Sequence, residues 1–294
     1  MKRRILFIIN PKSGLGRHRT VEREIQTHLD HELFQYDISY TRHKGHGEQL
    51  AAEAAKNKYD VVAISGGDGS INEVARGIFG SKTIMAVIPT GSGNGLARHL
   101  GIPLRARKAI QLINEFSVVN IDTGFVNGEL FVSLAGVGFD AKIAENFEQA
   151  SYRGFMAYFG LVASAFYNYK PKKYTLEING EEIKREALLI SFANSGQFGY
   201  NTGLSYYASV TDGMLDVSIM QKPPLLVTPL MLHLLYFHRM DESQYVESYR
   251  TNKILIKKRK KKQPVNIDGE ARYFDKKKLL IEVKPASLPL IVPK

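Results

Sequence analysis

The stretch VVAISGGDGSINEVARGIF, Val61 to Phe79, decides how the chain is read. Its first five residues, Val61-Val62-Ala63-Ile64-Ser65, form an apolar, β-branched run about as long as a buried strand. Ile71, Val74, Ala75 and Ile78 then recur at i, i+3, i+4 and i+7, the stripe of an amphipathic helix. Between strand and helix lies Gly66-Gly67-Asp68-Gly69-Ser70. Three glycines in four positions permit a sharp turn and let a ligand approach the backbone N–H groups. The helix aims the positive end of its dipole at the same spot, so the junction suits a phosphate. Ser70 and Glu73 also fit a capping box, an ordinary helix-start device, but that leaves Gly66, Gly67 and Asp68 without a reason.

The same alternation extends to both sides. Arg4 to Ile9, Gln35 to Thr41 and Thr83 to Ile88 read as strands. Arg17 to Leu29, Gly47 to Lys58 and Arg105 to Phe116 read as helices. Repeated βα units predict a parallel, doubly wound sheet, whose ligands bind beyond the carboxyl ends of the strands. Three Gly-rich segments fall at those ends: Asn10 to Gly16, Gly66 to Ser70, and Pro89 to Gly95. After Val118 short strands and turns take over, with Asn127-Gly128 and Asn179-Gly180 as hairpin signals. The expected division is an α/β domain over 1–118 and a mainly antiparallel domain over 119–294. In the second, strands are expected at 119–126, 130–134, 174–178, 182–191, 215–220, 253–256, 265–267 and 279–283. Helices are expected near 152–169 and 225–238, and the extreme C-terminus is allowed to pack back on the first domain.

With 294 residues the chain can bury two cores, and without cysteine it has neither disulfides nor thiolate metal sites. That composition favours a reducing, cytoplasmic setting. The two longest uncharged stretches, Gly154 to Tyr169 and Pro223 to His238, fall short of the roughly 20 apolar residues of a membrane span. The net charge of +11 calls for an anionic partner: nucleic acid, an anionic membrane or a phosphorylated small molecule. Nucleic acid is set aside because no groove-reading motif accompanies the charge. Lys257 to Lys262 is an unbroken basic run, readable as a solvated loop or as a peripheral membrane contact. Gly14-x-Gly16 is followed by Arg19 where a dinucleotide fingerprint needs glycine, and no P-loop sequence occurs.

Five segments carry a resemblance. Asn10-Pro11-Lys12-Ser13-Gly14, then Gly66-Gly67-Asp68-Gly69-Ser70 with Asn72-Glu73, then Pro89-Thr90-Gly91-Ser92-Gly93-Asn94 are similar in order and spacing to the diacylglycerol kinase/sphingosine kinase family of lipid kinases. Thr211-Asp212-Gly213-Met214-Leu215-Asp216 and Asp268-Gly269-Glu270 resemble two later landmarks of that family.

The resemblance implies an ATP- and Mg²⁺-dependent kinase of a lipid hydroxyl, with a β-sandwich lipid domain after the α/β domain and the active site in a cleft. It implies that Asn10, Pro11, Ser13, Gly14 and Thr41 contact the nucleotide. Gly66, Gly67, Gly69 and Ser70 would wrap phosphates, with Asn72 and Glu73 in the same motif and Asp68 close to Mg²⁺. Thr90, Gly91, Ser92, Gly93 and Asn94 would line the opposite wall. Asp268 and Glu270 are the candidates for the general base. Asp140 is the candidate for reading the lipid head group; a structural aspartate near a turn is the plainer alternative. Asp212, with the carbonyls of Ser209 and Met214, would hold a structural Mg²⁺, and a plain Asp-Gly turn explains the same residues. Phe155, Met156, Tyr158, Phe159, Leu161, Val162 and Phe166 would line an acyl pocket, touch a bilayer or simply pack. The implied partners are a lipid substrate and an anionic membrane surface, and a homodimer is compatible. The rival readings are a kinase of a soluble nucleotide on the NAD kinase pattern and a non-enzymatic nucleotide-binding regulator.

Overall fold

The computed structural model describes residues 2–16, 18–149, 162, 164–196, 208–236, 239–257 and 263–294. The chain divides into two compact units, Met1–Ile121 with Ala286–Lys294, and Asp122–Pro285.

In the first unit, strands β1 (Arg3–Ile9), β2 (Phe34–Tyr40), β3 (Val61–Gly66) and β4 (Ile84–Pro89) lie in the order β2-β1-β3-β4, all parallel. Burial explains the lack of alternation in the central strands: Ile5, Phe7, Ile8, Val61, Val62 and Ile64 have no exposed surface. Helices α1 (His18–His28), α2 (His46–Lys56), α3 (Asp68–Ile78), α4 (Gly95–His99) and α5 (Ala106–Glu115) fill the crossovers. Asn114 on α5 accepts the Asp30 N–H at 2.9 Å and donates to the His28 carbonyl at 2.8 Å, tying down the end of α1. The last strand of the chain ends in this unit, where Leu290 pairs with Met85 of β4.

The second unit is an antiparallel sandwich. One layer runs β12-β11-β10-β7-β14-β15, built from Val246–Thr251, Leu215–Met220, Leu189–Ala193, Leu134–Gly138, Pro264–Ile267 and Glu270–Tyr273. The other runs β16-β13-β8-β9, built from Lys278–Ile291, Lys253–Lys257, Lys172–Ile178 and Glu181–Ala187. Alternate residues meet between the layers, with Val137, Ile190 and Val217 on one side and Leu176, Ile254 and Ile281 on the other. Strand β5 (Val118–Val126) turns at Asn127-Gly128 into the short β6 (Glu129–Phe131). Helices α6 (Phe139–Gln149) and α7 (Thr228–Tyr236) complete the set.

The α/β and β-sandwich architecture stands as expected; some elements differ. The strand expected over 130–134 is two strands, β6 and β7, separated at Val132-Ser133. The one expected over 182–191 breaks at Leu188 into β9 and β10, which belong to different layers. Helices α4 and α6 and strands β12 and β15 were not anticipated. Of the aromatic segment, Phe155, Met156, Tyr158, Phe159 and Leu161 lie outside the described residues, as do residues 258–262 of the basic run.

Candidate active site

In the first unit, the ends of β1, β3 and β4 bring the three Gly-rich segments together. Asn10 follows β1 and donates through Nδ2 to Ser70 Oγ at 2.9 Å, while its Oδ1 accepts the Lys12 N–H at 3.0 Å. Thr90 Oγ1 donates to Ser13 Oγ at 3.1 Å. The Thr90 and Gly91 N–H groups both point at the Gly66 carbonyl, at 3.0 and 3.3 Å. Thr41 follows β2 and lies beside the end of β1, its N–H bonded to the Ile9 carbonyl at 2.9 Å.

Gly91 is dictated by space. A Cβ on Gly91 would stand 2.4 Å from the Gly67 Cα and 2.9 Å from Asn94 Oδ1. Backbone therefore touches backbone between the second and third loops, and no larger side chain fits.

Asp68 is the first residue of α3, after the N-cap Gly67. Its carboxylate reaches across to the third loop, where the N–H groups of Gly95, Leu96 and Asn94 bond it. Desolvation by burial outweighs those donors and raises its pKa. Its Oδ1 is buried without a hydrogen-bond partner, and so is Asn94 Oδ1 in the third loop. Two acceptor oxygens withdrawn from water among the glycine-rich loops suit a hard cation, which takes oxygen ligands.

Glu73 does not close a capping box with Ser70: Gly67, with no side-chain cap, starts the helix. Glu73 instead crosses to the preceding helix, accepting the Gly45 N–H at 2.7 Å and the Gly47 N–H at 3.0 Å at the start of α2. Asn72 is buried and accepts from Arg76 at 2.5 Å, and Arg76 pairs with Glu48 at 2.9 Å. These residues of the glycine-loop motif hold α2 and α3 together instead of facing outward.

In the second unit, Asp268 and Gly269 are the two turn residues of the β14–β15 hairpin, with φ of 47° and 88°. The Asp268 carboxylate accepts three backbone N–H groups, from Val132 at 2.7 Å, Ser133 at 2.9 Å and Leu134 at 2.8 Å. Glu270 opens β15 and pairs with Arg272 at 2.7 Å; Arg272 also lies 3.6 Å from Glu129.

Asp140, on the first turn of α6, packs against Gly136, where a Cβ would stand 2.1 Å from Asp140 Oδ2. Burial pushes its carboxyl up to about 6, partly offset by the hydrogen bond from Asn266. Asn266 is the residue that sequence reasoning missed. Its Nδ2 donates to Asp140 at 2.8 Å and its Oδ1 accepts the Gly269 N–H at 2.8 Å. One carboxamide thus joins the head-group candidate to the turn bearing Asp268 and Glu270. The available signal was an asparagine between Val265 and Ile267, a polar residue in an apolar strand that needs partners when buried.

In the Ser209–Met214 loop, the Asp212 carboxylate accepts the Met214 N–H at 3.0 Å and meets the Arg250 guanidinium.

A doubly wound unit with three loops converging at its strand ends, followed by an antiparallel sandwich carrying carboxylates, defines a kinase fold of the NAD kinase and diacylglycerol kinase type. Residues 4–126 match the family described as diacylglycerol kinase catalytic domain. Residues 133–292, more than half of the chain, match the YegS C-terminal NAD kinase beta sandwich-like domain. The chain belongs to the diacylglycerol kinase/YegS-like family of lipid kinases and is an enzyme of that class. It is 26% identical to a diacylglycerol kinase of Bacillus subtilis (strain 168), across 91% of this chain and 90% of that one. A probable lipid kinase YegS-like protein of Pseudomonas putida is 30% identical over 66% of this chain and 67% of its own. In fold, the chain is similar to a diacylglycerol kinase of Bacillus anthracis str. Sterne, with TM-score 0.76 and 20% identity over 99% of this chain and 97% of that one. A yeast NADH kinase shares the fold more distantly, at TM-score 0.55 and 10% identity over 100% and 84%.

Proposed function

We propose that the protein transfers the γ-phosphoryl group of ATP, with Mg²⁺, to a hydroxyl of a lipid such as diacylglycerol, a sphingoid base or ceramide. The observation that carries the reading is the side-chain linkage of the three loops, Asn10 to Ser70 and Ser13 to Thr90, around the Gly67–Gly91 backbone contact. The named functions of the relatives support a lipid acceptor over a soluble one.

Phosphoryl transfer asks a protein for position and charge neutralisation, because little covalent chemistry falls to it. The residues around Asn10–Gly14, Gly66–Ser70 and Thr90–Asn94 would hold the phosphates through backbone N–H groups. Asp68 Oδ1 and Asn94 Oδ1 are the oxygens available to Mg²⁺, which when bound neutralises charge building on the transferred group. On the acceptor side, Asp140 would orient the head group. Asp268 or Glu270 would take the hydroxyl proton, and Asn266 would hold the turn that presents them.

The test is purified protein with labelled ATP and a panel of diacylglycerol, ceramide, sphingoid bases and glycolipids. Phosphate should enter the organic phase only when Mg²⁺ is present. Label passing to NAD and to no lipid would replace this reading by a soluble-nucleotide kinase. Asp268→Asn and Glu270→Gln separate the base from its neighbour: the base loses on the order of 10²–10⁴ in kcat with ATP affinity little changed. Both amides keeping near-normal turnover would move proton removal elsewhere, to Asp68 first.

A further inference from the structure

The Ser209–Met214 loop is where the family resemblance places a structural Mg²⁺, and its donors do not fit one. The loop's one carboxylate, Asp212, is engaged on both oxygens: Oδ1 by the Met214 N–H, Oδ2 by Arg250. Ser209 Oγ lies 3.3 Å from Thr211 Oγ1 and accepts the Thr211 N–H at 3.3 Å. Among the described residues no group of three or more His, Asp or Glu side chains is arranged to hold a metal.

Arg250 stands there because strand register puts it there. It occupies β12 directly opposite Asp216 of β11. Its Nε is 3.3 Å from Asp216 Oδ1 while its Nη2 meets Asp212 Oδ2. One guanidinium therefore spans the carboxylate in the loop and the carboxylate at the start of the strand. The Asp216 side chain is 10% exposed and that of Asp212 27%, so water screens the two like charges poorly. Asp122, itself buried, anchors the same loop by accepting the Gly213 N–H at 2.7 Å.

We propose that Arg250 takes the place of the structural cation, clamping loop 209–216 to β12 so that this part of the fold needs no divalent metal. A planar guanidinium offers five donors in a fixed fork and reaches two separated carboxylates at once. Mg²⁺ demands near-octahedral oxygens at about 2.0–2.1 Å and gives up its water reluctantly. It could occupy Asp212 only after displacing a cation that is covalently part of the chain. The inference concerns this loop alone and stands apart from the Mg²⁺ that would accompany ATP.

The test reads stability without nucleotide, so its outcome is separate from whether any lipid is phosphorylated. The full chain is stripped with EDTA, and thermal midpoints are recorded with and without Mg²⁺ for the wild type, Arg250→Ala and Asp212→Asn. The wild-type midpoint should not respond to Mg²⁺ through Asp212. Arg250→Ala should fall by about 2–4 °C in EDTA, and should recover in Mg²⁺, which can then take the place the guanidinium leaves between the two carboxylates. A wild-type rise in Mg²⁺ that Asp212→Asn abolishes would overturn the proposal, as would an Arg250→Ala midpoint equal to the wild type's in EDTA. A rise that persists in Asp212→Asn belongs to another site and supports it. If Arg250→Ala does not fold, Arg250→Lys replaces it, keeping the charge but not the fork.

Discussion

Burial raises the Asp140 carboxyl to about 6, so the folded chain keeps that proton at pH values where an unfolded aspartate has lost it. A raised acid pKa favours folding least where the group must ionise. The contribution of Asp140 to stability is therefore flat below about pH 4, falls as pH rises to about 6, and is flat again above. Asp140→Asn removes the titration while keeping an acceptor for Asn266. Its urea midpoint should gain on the wild type steadily between about pH 4 and 6, then hold the advantage. Parallel profiles for the two proteins would mean that Asp140 is not desolvated. A charge that lowers stability at neutral pH is the kind of residue retained for what it binds, which agrees with a head-group role.

Asp68 has a structural role besides the one its place in the sequence suggests. A carboxylate in a glycine loop suggests a residue that serves ligand and not core, yet here it holds the backbone N–H groups at the start of α4. Asp68→Ala strands those donors, and leaving buried donors unsatisfied costs about 1–3 kcal/mol. The variant should lose turnover and also unfold at lower urea. An unchanged urea midpoint would show that the third loop stands without it.

At the scale of elements, the α2–α3 contact sets two effects against each other. Ala is about 1 kcal/mol better than Gly inside a helix. At Gly77, however, a Cβ would stand 2.4 Å from the Glu48 carbonyl oxygen and 2.7 Å from the Ala51 Cβ. Both neighbours belong to another helix, and overpacking of that kind costs typically 1–3 kcal/mol. The clash wins, so Gly77→Ala should lower the thermal midpoint. A gain would show that the helices separate easily.

The elements legible in the sequence were those with a period or a punctuated run: β1 to β4, α1 to α3, α5, and the hairpin at Asn179-Gly180. Helix α4 has only five residues, too few to show a period, and follows Asn94 in the left-handed region. The β9–β10 break at Leu188 carries no Gly or Pro, and Ala187, Leu188 and Leu189 are all buried there, so the sequence reads as one continuous run. The loops of the first-unit site were legible as glycines. What Asp68, Glu73 and Asn266 do was not, since each reaches an element distant in the chain and leaves no local pattern.

For the whole molecule, the charge of +11 sets how a peripheral contact would behave. Among the described residues no helix is long and apolar enough to cross a membrane. Lys257, the first of the basic run, pairs with Glu182 at 2.6 Å. The other five basic residues lie outside the described residues; near an anionic surface each basic side chain would be worth roughly 1 kcal/mol. Neutralising the run should weaken binding to anionic vesicles far more than turnover of detergent-dispersed lipid. Equal losses in both assays would assign the run to the fold or the active site.

The return of β16 to the first unit has a consequence for how the chain is made. Leu288, Leu290, Ile291 and Val292 are buried, Leu290 pairs with Met85, and the Val292 N–H bonds the Ser117 carbonyl. During translation β1 to β4 are made well before residues 286–292, so one flank of β4 must wait for them. Until then an apolar parallel strand presents open backbone groups, the condition in which edges recruit wrong partners. A chain ending at Pro285 should therefore keep a foldable sandwich but leave the nucleotide-type unit prone to proteolysis and self-association.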